Sequence, residues 1–368
     1  MMKPNLVRLS FACLALNPVV YAAPFLAIGD GAELFVTGVV GVRADDNIFT
    51  VANAQSDTIF DLSPGAELTF GKDSDLKGSL TLVDAFSSYS SNSNLNTNLF
   101  SGDFSTNYSD GKMKLNLNAG YHEMNQNGAD IHGLTRRDVT SLGTSGEVEV
   151  SQITSLAAGL TFTHTKYKRK GYANSDDYVV PINFYYKWTP KVEVSAGYSL
   201  RDYQTNIGAD TKDHFFNVGA RGEFTPLLTG EFNVGITTRD FSPGGSQSML
   251  GLKAQLNYAI TPKTGLQLTA SSSPDTSPQG AQQKNVSLGA TVNSKISDTW
   301  SVRAGLSWRA IHYTTRTDDF LDGSLGATYI VNTYVNIVGA YAYRHNSSVL
   351  ASGVFTQNVF NISANLRY

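Results

Sequence analysis

Cysteine is nearly absent: the single thiol, Cys13, falls within the first 22 residues. With that segment removed no thiol remains, which argues against a disulfide-stapled extracellular scaffold. Long apolar runs are missing after residue 22, so no helix of the ~18 apolar residues that a bilayer crossing needs is encoded. Charge is sparse, at 16% of residues, against roughly 25% in soluble domains. A basic excess is absent too. There are 28 basic and 31 acidic residues, and removing Lys3 and Arg8 leaves 26 against 31, a balance of −5. Nucleic-acid binding needs a basic face, so that class drops out. No Gly-x-Ser-x-Gly elbow occurs either, because Gly143-Thr-Ser-Gly146 and Gly244-Gly-Ser-Gln247 do not fit it. Nothing meets the geometric roles of a catalytic site, so no catalytic residue and no cofactor is predicted.

What is present begins with a leader. Lys3 and Arg8 form a basic region, Leu9 to Val20 an apolar stretch, and Val20-Tyr21-Ala22 a small-residue exit. This reads as a signal peptide over residues 1–22. Cleavage after Ala23 would put Pro24 first, so the cut is placed after Ala22. Residues 23–32 are then a short periplasmic segment and 33–368 the folded body.

Beyond residue 32 no apolar period of 3.6 persists. Alternating runs recur, such as Val192–Leu200, Leu250–Tyr258 and Trp300–Trp308. Side chains of a strand alternate between two faces, so each run has one apolar and one polar face. About 18 such runs occur, each near the ~9–11 residues that a tilted membrane strand needs. Their connections alternate in length. Tight ones (Gly71–Asp75, Ser109–Gly111, Thr189–Lys191, Thr225–Pro226, Thr261–Lys263, Ser297–Asp298, Val331–Thr333) swap with longer polar ones over 44–56, 125–137, 169–176, 205–212, 241–247, 272–283 and 345–354. Transmembrane barrels show this asymmetry, with short periplasmic turns and longer outer loops. The predicted fold is all-β, a transmembrane antiparallel up-and-down β-barrel of about 18 strands (16–18) without a plug domain. No loop is expected to be long enough to fold inward as a large constriction.

Charge decides which face looks out. Glu193, Arg201, Arg221, Glu223, Glu231, Arg239, Lys253, Arg303 and Arg309 share the polar face with Ser, Thr, Asn and Gly. Lipid-facing Arg or Lys costs roughly 2–4 kcal/mol at mid-depth. These nine residues are therefore predicted to line a pore. Glu193, Arg221, Glu223, Glu231, Arg201 and Arg239 lie on three successive strands and are candidates for bracing pairs; Arg303 and Arg309 lack an acidic neighbour. Aromatic girdles are expected from Trp188, Tyr258, Trp300, Tyr334 and Tyr368 by the short turns, and from Tyr203, Phe241, Tyr313 and Tyr343 at the far ends. All six histidines fall toward the outer side, and none has close ligand spacing, so no metal site is predicted.

The last ten residues, Val359–Tyr368, alternate strictly and end on an aromatic. Phe360, Ile362, Leu366 and Tyr368 resemble the carboxy-terminal insertion signal of bacterial outer-membrane barrels, although Ser363 stands where that signal usually has Gly. Near the start, Asp45, Asp46, Asn47, Ile48 and Phe49, followed by Ser63, Pro64 and Gly65, resemble the opening hairpin of a family of outer-membrane β-barrel porins often found with exopolysaccharide biosynthesis and export machinery. Short side chains at 45–47 suit local turn chemistry better than cation or sugar binding. Ser63-Pro64-Gly65 falls inside a strand, where Pro and Gly usually mark a bulge or bend.

The chain is thus expected in the outer membrane of a Gram-negative bacterium, as a water-filled pore for hydrophilic solutes; the resemblance adds exopolysaccharide export. The alternative is a non-transporting structural or assembly barrel of a secretion complex, and an outer-membrane hydrolase stands behind both. Expected partners are outer-membrane lipid, the barrel-assembly machinery, solutes or polysaccharide and, through the resemblance, periplasmic polysaccharide-export components.

Overall fold

The computed structural model describes residues 23–126 and 134–368. The expected signal peptide, 1–22, and His132 lie outside the described residues. A short strand, β1 (Leu26–Ile28), precedes eighteen long ones. The first nine are β2 (Ala32–Asp45), β3 (Asp57–Phe70), β4 (Leu76–Tyr89), β5 (Thr97–Ser109), β6 (Met113–Gln126), β7 (Thr135–Ser151), β8 (Thr154–Tyr167), β9 (Ser175–Lys187) and β10 (Val192–Thr205). There follow β11 (Asp210–Thr225), β12 (Leu228–Ser242), β13 (Ser246–Thr261), β14 (Thr264–Thr276), β15 (Gln282–Lys295), β16 (Trp300–Tyr313), β17 (Thr317–Ile330), β18 (Val335–Ser347) and β19 (Phe355–Arg367).

Each long strand pairs antiparallel with its neighbours, and β19 returns to β2 from Arg367↔Thr37 to Val359↔Asp45. The result is a closed 18-stranded barrel, and closure satisfies every edge that lipid would otherwise leave unpaired. β19 leaves the short-turn end of β2 uncovered. There β1 takes over, pairing Leu26 with Leu34 and Ile28 with Ala32. Phe25 stacks edge-on to Tyr368 at 6.2 Å beside this join.

The facing follows the predicted phase. Phe60, Leu306, Phe360 and Ile362 stand more than half exposed on the outer wall, as a lipid-facing belt requires. Pore-face parity holds Glu193, Arg221 and Glu231 opposite one another across β10, β11 and β12.

Two expectations change. Ser63-Pro64-Gly65 makes no bulge: pairing with β4 lapses between Leu62↔Phe86 and Gly65↔Val83, and resumes in the same register. Pro64 has no N–H to give, so the ladder is interrupted but not shifted. A Cβ at Gly65 would stand 2.6 Å from the Thr37 hydroxyl, which explains the glycine. The outer girdle also differs. Tyr203 is buried on the pore face, Phe241 shares the inward parity of Arg239, and Tyr313 packs inward on Ile311, Phe320 and Phe355. The lipid-facing aromatics on the outer half include instead Phe162 with Tyr178, Tyr198 with Phe216, and Phe100 with Tyr121. At the short turns Trp300 pairs with Tyr329 and Tyr334 with Tyr368, as expected of an interfacial belt.

Candidate functional site

The pore face carries three distinct settings. In the first, on the short-turn half, Arg221 of β11 donates from Nε to Glu193 of β10 at 2.6 Å and from both terminal nitrogens to Glu147 of β7 at 2.5 and 3.0 Å. Its guanidinium lies 3.5 Å from the centre of the Tyr185 ring. Three strands separate β7 from β11, so this pair crosses the lumen side of the wall and does not follow one ladder. The expected bracing is therefore present between Glu193 and Arg221. Glu223 instead meets Lys191 at 2.5 Å, and Glu231 accepts from Asn233 at 2.9 Å.

The second setting is at the outer mouth. Arg201 of β10 is held bidentately by Asp177 at 2.9 and 3.0 Å, and Arg239 of β12 by Asp213 at 2.6 and 2.7 Å. Both arginines also reach β14: Arg201 meets Asp275 Oδ1 at 3.2 Å, and Arg239 meets the Asp275 carbonyl at 2.7 Å. Arg239 is only 2% exposed. It faces inward as predicted but is sealed within this network and does not line an open pore. Asp213 was within reach of sequence reasoning, because hairpin pairing sets it opposite both Arg201 and Arg239. Glu147 and Asp275 were not, since they come from strands that do not neighbour their partners.

The third setting is the wall of β13 to β16. Lys253, Thr269, Ser271, Ser287, Gly289 and Thr291 lead to Ser301, Arg303, Gly305, Ser307 and Arg309, all on the inward parity. Lys253, Arg303 and Arg309 form no ion pair among the described residues. The nearest aromatic contact is Arg309, 5.3 Å from the Phe320 ring centre. These cations stand over small hydroxyl-bearing residues, a wall that solvent ions can approach. Elsewhere inward arginines are neutralised: Arg43 by Asp61, Arg344 by Asp322, Arg367 by Glu67.

The 45–49 motif lies at the outer end of the closing seam. Asn47 donates to the carbonyls of Val51 and Thr356 at 2.8 and 2.9 Å, and accepts from Val51 N–H. Gln357 donates to both Asp45 oxygens, and Asp46 takes the backbone and side-chain N–H groups of Asn358, each at 2.7 Å. Ile48 is buried against Ile59 and Tyr89, with Phe49 packed on the cluster. Turn chemistry is what these residues do, and it joins the first barrel strand to the last.

His164 with Asp176, His214 with Asp240, His312 with Thr317 and His345 with Thr356 occupy the outer rim, while His122 turns inward to Asp103. No group of three metal-ligating side chains occurs among the described residues. A shallow surface concavity of about 430 Å³ lies on the lipid side between Leu256, Leu268, Leu288 and Leu306 over Ala254 and Ala270. It is a dip in the outer wall, on the face of β13 to β16 opposite to the one that carries Lys253, Arg303 and Arg309.

A family model described as "Putative beta-barrel porin 2" matches residues 36–368. Among solved structures, Acinetobacter baumannii OccAB2 is similar at TM-score 0.51 and 9% identity, over 92% of this chain and 98% of that one. Pseudomonas aeruginosa OpdL is similar at TM-score 0.50 and 10% identity, over 93% and 99%. At such identities the likeness is one of fold. A search of curated proteins returned no match.

Proposed function

The chain belongs to the porin family whose model spans residues 36–368, and on that premise we propose that it is an outer-membrane pore of a Gram-negative bacterium, passing small hydrophilic solutes by diffusion. The observation that carries this is the unpaired cationic wall of β13 to β16 inside a closed 18-stranded barrel. Barrels of this size enclose water, whereas about eight strands are filled by their own side chains. Lys253, Arg303 and Arg309 raise the local concentration of anions along that wall, which favours carboxylate-bearing or otherwise anionic solutes. Phe360, Ile362, Leu366 and Tyr368, all outward, serve as the handle for the barrel-assembly machinery. Neither the fold nor the relatives carry the exopolysaccharide association, and the pore reading does not need it.

Steady single-channel conductance of the purified barrel in planar bilayers is the expected result. Silence from a protein with barrel circular dichroism and heat-modifiable mobility would favour the non-transporting assembly role.

A further inference from the structure

The connection between β14 and β15, residues 277–281, does not rise away from the mouth. It curls on itself, with Gly280 N–H bonded to the Ser277 carbonyl and Ser277 N–H to that of Ala281, each at 2.8 Å. It then leans across the opening. Ala173, in the connection between β8 and β9, donates its N–H to the Pro278 carbonyl at 2.7 Å. Gly280 also meets the connection between β10 and β11: a Cβ at Gly280 would come 2.6 Å from the Ile207 carbonyl oxygen, and one at Gly208 would come 2.7 Å from that of Gly280. Both glycines have φ near +90°, +83° and +95° respectively, a region in which side chains are strained. Ala173 and Ser277 are each 1% exposed.

The position of these contacts matters. Six of the eighteen strands, β9 to β14, lie between the two ends of the Ala173–Pro278 bond. A bond between points a third of the circumference apart is a chord over the lumen. Beneath it, Arg201 holds the Pro274 carbonyl at 3.3 Å and the Asp275 carboxylate, while Arg239 holds the Asp275 carbonyl and Gln282 Oε1 at 2.8 Å. Each arginine is first fixed to the wall by its own aspartate, so the guanidinium edges left over grip the hairpin.

We propose that the β14–β15 hairpin is a strap that narrows the outer mouth, latched by Arg201 and Arg239, and that it sets the size limit of the solutes admitted. The strap adjoins β16, so the passage left open is the one bordered by Arg309. The size limit rests on the pore reading; the closure of the strap does not.

Ser277→Cys places a near-isosteric thiol at a buried position within the strap, in a chain whose only other cysteine is Cys13. Its labelling by a membrane-impermeant maleimide is compared with that in two release variants. Asp275→Ala removes a side-chain grip, and Gly280→Val forces a Cβ against Ile207 without touching the ion network. Heat-modifiable mobility confirms that each barrel has folded. Labelling should accelerate about tenfold or more in both release variants, as for loss of a local latch, and single-channel conductance should increase. Equal labelling in all three would overturn the strap. Faster labelling with unchanged conductance would overturn its role as the size limit. Silence of every channel, the unaltered protein included, would overturn the pore reading and the size limit with it, while labelling would still decide closure.

Discussion

Gln357 and Asp45 form a buried pair at the top of the closing seam, with the carboxamide nitrogen 3.0 and 2.9 Å from the two carboxylate oxygens. A carboxylate left buried without its donor costs about 1–3 kcal/mol or more. Gln357→Leu should therefore lower the temperature at which the barrel loses compact mobility in SDS, whereas exchanging exposed residues nearby should not. Arg303 and Arg309 stand on the inward face of β16 with no ionic partner among the described residues. Replacing both by Ser removes two unpaired charges and keeps the strand alternation. The reversal potential in a salt gradient should shift away from anion preference, most at low salt, where the Debye length is about 30 Å. The acidic balance of the whole chain acts the other way, so the prediction concerns the shift. A double variant with an unchanged reversal potential would remove these residues from the ion path.

Along a single strand the two faces make opposite demands. Leu306 is 57% exposed on the outer wall of β16, and Ser307 faces inward between Gly289 and Asp322. Leu306→Arg and Leu252→Arg set a cation against acyl chains at roughly 2–4 kcal/mol near mid-depth, so both should assemble poorly. Ser307→Arg and Gln255→Arg point into water and should assemble normally; outer-membrane fractionation and heat-modifiable mobility read the difference. At the end of β19, Tyr368 packs on Tyr334 at 5.2 Å and exchanges backbone hydrogen bonds with Val36. Deleting it removes an interfacial anchor and the last bonds of the seam, and should reduce the amount of barrel recovered from the outer membrane.

At the scale of the molecule, one seam joins residues more than 300 apart in sequence. Tyr368 and Val36 form a reciprocally hydrogen-bonded pair, so Val39 and Asn365, three positions on in the same register, form a non-hydrogen-bonded pair with close side chains. Val39→Cys with Asn365→Cys should oxidise to a disulfide in the folded protein. The cross-linked chain should then migrate faster than its reduced form even after boiling. Absence of cross-linking in folded barrel would contradict the β2–β19 register.

The strands, their phase and the barrel class were readable from the sequence because the forces that set them act locally. A period of two and the cost of lipid-facing charge are felt residue by residue, as Phe360, Ile362 and Leu306 show on one face and Arg303 and Ser307 on the other. Pairing across a hairpin, as in Arg221 with Glu193, was within the same reach. Curvature and closure decided the rest. Arg221 finds Glu147 and Arg201 finds Asp275 across three intervening strands, Tyr203 and Tyr313 turn inward, and a five-residue connection spans part of the mouth. Such contacts depend on where distant parts of the wall come to face one another, and that follows from the shape of the closed barrel, which no local pattern in the chain specifies.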